Sequence, residues 1–215
     1  MGSEAVEDDA LAEVPADAAV LIAGPPMTGK YWLLVRLIQL HADRVVFITT
    51  KNGYERVRED FREAAGAYDE AHLGVVDCLS YHQSIDVDAV DGPVRFTDSP
   101  ENLTRIGVKF TELFDQFMED PEAGRIGVGI HSVSQLLMHS EVKTVYQFLQ
   151  VLVGQVRNTG NLFVAVLDSG STEDETLTSL QTHFDGLITT RENDDGAREF
   201  RIRGLTPSAS PWTEF

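Results

Sequence analysis

Residues 24–31 read GPPMTGKY, and this stretch decides the fold. Seven of its eight positions fit G-x-x-x-x-G-K-[ST], a loop whose backbone N–H groups bind nucleotide phosphates. The last position, where a Ser or Thr would bind Mg²⁺, is Tyr31. We predict a nucleotide-binding loop made of Gly24, Pro25, Pro26, Met27, Thr28, Gly29, Lys30 and Tyr31. A glycine-rich turn without a ligand is the alternative.

The flanks of this loop fit a strand before it and a helix after it. Ala18 to Ala23 is a short continuous apolar run, typical of a strand that is buried on both faces. From Lys30 to His41 the apolar residues recur with a helical period. The N-terminus of such a helix attracts anions, and Lys30 can reach the outer phosphates.

The rest of the chain continues this alternation. Strands are predicted at 45–49, 73–79, 94–96, 125–130 and 162–167. Helices are predicted at 54–65, 99–118, 133–138, 141–158 and 172–184, followed by a hairpin of 186–190 and 199–205. This order predicts an α/β fold, with a mostly parallel sheet, helices on both faces and a C-terminal antiparallel hairpin. We expect one domain over 18–215, preceded by an acidic mobile arm at 1–17.

The charge of the chain limits its partners. There are 35 Asp and Glu against 17 Lys and Arg, a formal net charge of -18, with Lys much rarer than Arg. Such a composition tolerates high salt and indicates a halophilic protein. It disfavours nucleic acid and anionic membrane as partners. A single cysteine, Cys78, and the lack of a long apolar run fit a cytoplasmic protein.

Several stretches together resemble a known family. They are GPPMTGK (24–30), FITT (47–50), SPENLTRIG (99–107), HSVSQLLM (131–138), VYQFLQVLVGQVR (145–157) and VLDSG (166–170). The chain is similar to the RecA-superfamily ATPases of the KaiC/GvpD type, and most of all to a short single-domain branch found in haloarchaea. The resemblance implies a RecA-like P-loop fold with ATP or ADP as the ligand.

The chain departs from this family at three positions that concern hydrolysis. The resemblance implies a Mg²⁺-binding hydroxyl at Tyr31, a metal-organising Asp at His131 and a catalytic Glu at Lys51, and all three are missing. Mg²⁺ prefers hard oxygen ligands, so its binding is doubtful and no metal ligand is predicted. Asp168, at the end of another strand, is the one carboxylate that could hold a metal-bound water or sense the γ-phosphate.

Arg201 and Arg203 form a further candidate site. They lie two residues apart on a predicted strand, so their side chains share one face. In KaiC-like ATPases a basic pair at this place reaches the nucleotide of the neighbouring subunit. The resemblance therefore implies a trans-acting finger and a homo-oligomer; a pair that only neutralises nearby acids is the alternative.

These observations predict a nucleotide-binding regulatory protein that is impaired in hydrolysis. It would act through a protein partner in signalling or cell organisation. A slow ATPase with an unusual Mg²⁺ site is one alternative, and an interaction scaffold without nucleotide is another. The sequence does not distinguish ATP from GTP.

Overall fold

The computed structural model describes residues 3–65, 69–80, 90, 92–205 and 209–215. The helices are α1 Ser3–Ala12, α2 Lys30–His41, α3 Tyr54–Ala65, α4 Leu103–Met118, α5 Val133–His139, α6 Val142–Arg157 and α7 Asp174–Gln181. The strands are β1 Ala19–Gly24, β2 Arg44–Thr49, β3 Leu73–Asp77, β4 Val94–Phe96, β5 Ile126–His131, β6 Leu162–Asp168, β7 Gly186–Glu192, β8 Arg198–Arg203 and β9 Thr213–Glu214. Within these ranges no helix combines the length and apolar character needed to cross a membrane.

The described strands form one sheet in the order β4-β3-β2-β5-β6-β1-β7-β8-β9. The pairs from β4 to β7 are parallel, and β8 and β9 join them in antiparallel fashion. The predicted fold class is therefore confirmed. Because β1 lies inside the sheet, the loop that follows it opens at the carboxyl edge, where ligands bind in sheets of this kind.

Helices cover both faces of the sheet. One core contains apolar side chains of α4, α5, α6 and α7, such as Phe110, Leu149 and Leu180. The other core lies beneath α1, α2 and α3 and includes Leu11, Leu34 and Phe61. Helix α2, which begins at the end of the phosphate loop, is thus packed firmly on the sheet.

Two glycines of β5 let α2 approach closely. A Cβ at Gly127 would lie 2.7 Å from Cγ2 of Ile38, and a Cβ at Gly129 would lie 2.9 Å from Cδ1 of the same residue. Such distances are shorter than side chains tolerate, so the two residues must be small for this helix–sheet contact to form.

The N-terminal segment differs from the expected mobile arm. Residues 3–12 form α1, in which Leu11 is fully buried and is followed by the buried Val14. The Asp8 carboxylate also accepts a hydrogen bond of 2.7 Å from Nε of Arg36 on α2. These buried side chains and the ion pair hold residues 8–14 on the core, so this described part of the segment is packed against the domain.

Other differences concern the ends of elements. Helix α4 begins at Leu103, later than predicted, because the Asn102 side chain accepts from the N–H of Arg105 and caps the helix. Strand β9 was not predicted. Most of the connection predicted at 80–98 lies outside the described residues, which include β4 from its later part.

Candidate functional site

The candidate site is the loop between β1 and α2. Gly29 has a φ of 79°, in the left-handed region that favours glycine, and Met27 has a φ of 67°. The first helical bond of α2 runs from the N–H of Leu33 to the Gly29 carbonyl at 3.1 Å. Among the described residues, the N–H groups of Gly29, Lys30 and Tyr31 make no backbone hydrogen bond. These groups can therefore bind an anion.

Lys30 lies in this loop with its ammonium group bound to oxygen atoms of the same chain. Its Nζ donates to the Pro25 carbonyl and lies 2.8 Å from Oδ1 of Asp168. The Lys30 side chain is 5% exposed and that of Asp168 is 21% exposed. Because β1 and β6 pair with Gly24 opposite Asp168, the two strand ends bring this pair together. Lys30 and Asp168, the two residues predicted to lie near the phosphates, thus form an ion pair with each other.

The other side of the loop is fixed by Thr190 of β7. The hydroxyls of Thr28 and Thr190 are 2.6 Å apart, and the Thr28 hydroxyl also donates to the Pro25 carbonyl at 2.8 Å. A Cβ at Gly24 would overlap Thr190. Gly24 therefore serves close packing of two strands, and the Thr28 hydroxyl is engaged within the protein.

Tyr31 packs against His131, at the end of β5. The two ring centroids are 4.5 Å apart, and the Tyr31 ring also contacts Phe47 edge to face at 6.1 Å. Burial, and next the neighbouring Asp60 carboxylate, raise the pKa of the Tyr31 phenol above its usual range. The two positions at which the resemblance implies a Mg²⁺-binding hydroxyl and carboxylate are thus occupied by two aromatic rings in contact.

His131 is a neutral, buried side chain. Burial first, and then the charge of Lys51, lower the pKa of its imidazole to about 4. Its Nδ1 atom and the Ser132 hydroxyl are buried without a hydrogen-bond partner among the described residues. The Thr50 hydroxyl bridges to the Ser132 backbone, donating to its carbonyl at 3.0 Å and accepting from its N–H at 2.8 Å. These contacts hold the ends of β2 and β5 together.

The residues at this edge do not fit Mg²⁺. A neutral imidazole and a buried phenol replace the hard oxygen ligands, and the Asp168 carboxylate is paired with Lys30. No cluster of three or more His, Cys, Asp and Glu suited to a metal ion occurs in the described part of the chain.

Asp77, at the end of β3, is a residue that the sequence analysis missed. Its carboxylate is fully buried and accepts from the N–H groups of Tyr54, Leu79 and Ser80 at 2.8–2.9 Å and from the Ser80 hydroxyl at 2.6 Å. These donors occupy the carboxylate, which ties β3 to the start of α3. The signal in the sequence is an acid that ends the apolar run LGVVD.

Phe215, which directly follows β9, contacts the phosphate loop. A Cβ at Gly29 would lie 2.6 Å from Cε2 of Phe215 and 3.4 Å from Cδ of Arg198. The N–H of Phe215 donates to the Arg198 carbonyl at 3.0 Å, and its ring lies 5.6 Å from that of Phe200. Nothing in the local sequence pattern predicted this contact.

Arg201 and Arg203 lie on one face of β8, opposite Thr189 and Leu187 of β7. The guanidinium carbon of Arg201 lies 4.8 Å from the centroid of the Trp212 ring, and that of Arg191 lies 3.9 Å from the same centroid. Arg203 is exposed and donates to the Thr189 hydroxyl at 3.0 Å. Arg201 and Arg203 alternate along β8 with the buried Phe200 and Ile202, so the two arginines lie on the face of the strand opposite to this core.

Comparisons with known proteins agree with this architecture. The sequence profile of a family of unknown function, DUF7504, matches residues 18–190. No protein of curated function matches the sequence. A KaiC-like protein from the hyperthermophilic archaeon Pyrococcus horikoshii OT3 has a similar structure, with a TM-score of 0.61 and 16% identity over 94% of this chain and 85% of that chain. At this low identity the structural similarity shows a shared fold and no more; the haloarchaeal branch stays a prediction.

Proposed function

The chain belongs to the DUF7504 family of unknown function, and we propose that it is a nucleotide-binding regulatory protein that binds ATP or ADP without efficient hydrolysis. The N–H groups of Gly29, Lys30 and Tyr31 carry this proposal, because they lie at the N-terminus of α2 and make no backbone hydrogen bond among the described residues. The helix dipole and the Lys30 ammonium group add positive charge there. A polyphosphate is the ligand that suits such a loop.

Impaired hydrolysis is inferred from the contact between Tyr31 and His131. Phosphoryl transfer depends on positioned cations that neutralise charge and on a group that orients the attacking water. Here the metal-anchoring positions hold two packed rings, and an ammonium group, Lys51, follows β2 where an acid would orient water. The residues of the loop can bind and orient the phosphates, whereas Tyr31, Lys51 and His131 offer no group that would activate water.

A protein partner fits the surface next to the loop. Met27 is 85% exposed and Trp32 is 43% exposed, so two large apolar side chains lie in the loop and in the first turn of α2. Large exposed apolar residues near a ligand site are common in contacts between proteins. A partner protein, or a second copy of the chain that presents Arg203, would contact these side chains. Its binding would then depend on whether a nucleotide occupies the loop.

Calorimetry of the purified chain tests this function. ATP and ADP are titrated in molar KCl, once with Mg²⁺ and once with EDTA, and we expect binding of similar strength in both cases. Lys30→Ala should abolish it, because the ammonium group at the loop is lost. Lys143→Ala, which removes an exposed lysine of α6, is the matched control and should bind like the unaltered chain.

Phosphate release measured with the same preparations separates the alternatives. Turnover at the rate of an efficient ATPase, abolished by Lys30→Ala, would contradict impaired hydrolysis. Binding that requires Mg²⁺, with slow turnover, would favour the slow ATPase.

A scaffold without nucleotide is the second candidate. It is favoured by the engagement of Lys30 with Asp168 and of Gly29 with Phe215, which together occupy the loop from within the chain. This candidate would be favoured if ATP and ADP gave no heat of binding and did not raise the midpoint of thermal unfolding, both with Mg²⁺ and with EDTA.

A further inference from the structure

The last described segment of the chain contacts two different regions through its two faces. Strand β9 pairs with β8, with Thr213 opposite Phe200. Trp212 precedes this strand and Phe215 follows it, and they contact neighbouring residues of β8, Arg201 and Phe200, whose side chains lie on opposite faces. Phe215 lies against Gly29 of the phosphate loop, and Trp212 lies against the guanidinium groups of β7 and β8.

On the loop face, the Phe215 ring occupies the space next to Gly29. The Cε2 and Cζ atoms lie 2.6 and 2.9 Å from where a Cβ would be, so the ring is in direct contact with this residue. The N–H of Gly29 is one of the groups that would bind a phosphate. A bulky polyanion that approaches this residue meets the ring and the stem of Arg198.

On the other face, the Trp212 ring lies against the guanidinium groups of two arginines. The centroid of its ring is 3.9 Å from the guanidinium carbon of Arg191 and 4.8 Å from that of Arg201. The Nε atom of Arg201 is buried and lacks a hydrogen-bond partner among the described residues. The aromatic ring is therefore a main contact of the Arg201 guanidinium, and it shields this group from solvent.

The strand that joins these contacts is short. Strand β9 has two residues and lies at the edge of the sheet. Before this strand, Ser210 ties the segment to β8, because its N–H donates to the Ile202 carbonyl and its hydroxyl accepts from the Ile202 N–H, both at 2.9 Å. Trp212 and Phe215 lie beyond this tie and within four consecutive residues, so a local opening of the two-residue edge strand can release both contacts.

We propose that residues 212–215 form a latch that closes the phosphate loop. When a polyphosphate enters, Phe215 leaves Gly29, β9 separates from β8, and Trp212 leaves Arg191 and Arg201. The freed guanidinium group of Arg201 then joins Arg203 on the surface of β8. Occupancy of the loop is thereby coupled to a basic surface that can bind an acidic group of a partner or of a second copy. This inference rests on the proposed nucleotide binding.

The two tryptophans of the chain provide the main test. In a Trp32→Phe variant, Trp212 is the only tryptophan, and we expect its emission to shift to longer wavelength on titration with ATP in EDTA. In a Trp212→Phe variant, Trp32 on the first turn of α2 reports the loop itself. A response of Trp32 to ATP with no response of Trp212 would overturn the latch and leave nucleotide binding intact.

If the emission of neither tryptophan changes with ATP and calorimetry detects no heat, nucleotide binding itself is refuted. A Trp32→Phe, Lys30→Ala double variant is the control: its Trp212 emission should not change with ATP. A shift in this control would show that Trp212 responds to ATP elsewhere on the protein, and it would overturn the proposal.

Phe215→Ala tests the closed state directly. Removal of the ring should tighten ATP binding by about 3- to 10-fold. The reason is that the apparent dissociation constant equals the intrinsic constant divided by the fraction of molecules in which the loop is open. Met138→Ala, which truncates an exposed apolar side chain at the end of α5, should have no effect. Weaker binding by Phe215→Ala would show that the ring contacts the ligand, and unchanged binding would show that it does not obstruct it; both results contradict a latch.

Discussion

The ammonium group of Lys30 has two oxygen partners in the chain, the Pro25 carbonyl and the Asp168 carboxylate. An incoming phosphate must compete with Asp168 for this group, and the carboxylate also repels the phosphate. Asp168 therefore opposes polyphosphate binding as long as no cation stands between them. This is the reverse of the role that a metal-binding acid would have.

A neutral residue at this position should strengthen binding. We predict that Asp168→Asn increases the affinity for ATP in EDTA by about fivefold, equivalent to about 1 kcal/mol for a partly exposed charge. Calorimetry measures this change, with Asp174→Asn on α7 as a control that removes one negative charge elsewhere. A loss of affinity, most of all in Mg²⁺, would assign Asp168 to the ligand or to its metal.

His131 makes the stability of the fold depend on pH. Burial and Lys51 lower the pKa of its imidazole from 6.5 to about 4 in the folded protein, with Lys30 adding to this effect and Asp168 opposing it. Between these values the unfolded chain binds a proton that the folded protein does not. The free energy of unfolding therefore falls as the pH is lowered from about 6.5 towards 4.

We predict that His131 contributes about 1 to 3 kcal/mol to this fall. Urea denaturation at pH 7 and at about pH 5, in the same KCl concentration, measures it. His131→Gln should lower the stability at pH 7 and should show a smaller difference between the two pH values. An equal difference in both proteins would mean that other groups cause it, such as His183, whose imidazole pKa is also lowered by burial.

At the scale of the elements, strong local patterns predicted the structure well. The bounds of α2, α3 and β4 agree with the prediction, since apolar residues recur in each of them with the period of the element, as Val94 and Phe96 do on either side of Arg95 in β4. The start of α4 was predicted at Ser99 because its hydroxyl can cap a helix. That hydroxyl instead accepts from the N–H of Glu101 in a turn, and Asn102 caps the helix.

The parts that depend on pairing over long distances in sequence were not predicted. Strand β9 has two residues and is formed by its contact with β8, so it has no period of its own. The same limit applies to the site. The loop and the common face of Arg201 and Arg203 follow from the sequence, whereas the Lys30–Asp168 pair and the Phe215–Gly29 contact follow from the sheet order.

Helix α1 is the element whose docking was not expected. Its hydrophobic residues are few, yet Leu11 is fully buried in the core beneath α2. We predict that Leu11→Ala destabilises the protein by about 2 to 4 kcal/mol, the usual cost of a cavity at a buried leucine. Urea denaturation tests this, with the exposed Val151→Ala of α6 as a control near zero. A negligible effect of Leu11→Ala would instead support the prediction that this segment is a mobile arm.

At the scale of the whole molecule, the net charge of -18 governs the behaviour in salt. Ion pairs such as Arg44–Asp120 and Arg157–Asp185 neutralise only part of the acidic surface. The remaining carboxylates repel one another in the folded state more than in the expanded chain. Added salt should therefore stabilise the fold.

We predict that the midpoint of thermal unfolding rises with KCl between about 0.1 M and about 1 M, where the Debye length falls from about 10 Å to about 3 Å. Circular dichroism follows the transition, and sucrose at equal osmolality serves as an uncharged control. A midpoint that does not change with KCl would contradict the interpretation of the chain as a high-salt protein.

The close contact between α2 and β5 has a consequence for the evolution of this family. Gly127 and Gly129 both face Ile38, and a methyl group on either glycine would overlap it. A Cβ at Gly127 would also lie 2.9 Å from Cβ of Ala42, and one at Gly129 would lie 2.8 Å from Cδ2 of Phe47. A relative that carries alanine or a larger residue at either place therefore needs smaller residues at Ile38 and at Ala42 or Phe47, and these positions should covary among homologous sequences. A glycine lost without such compensation would mark a lineage in which the helix has moved away from the sheet.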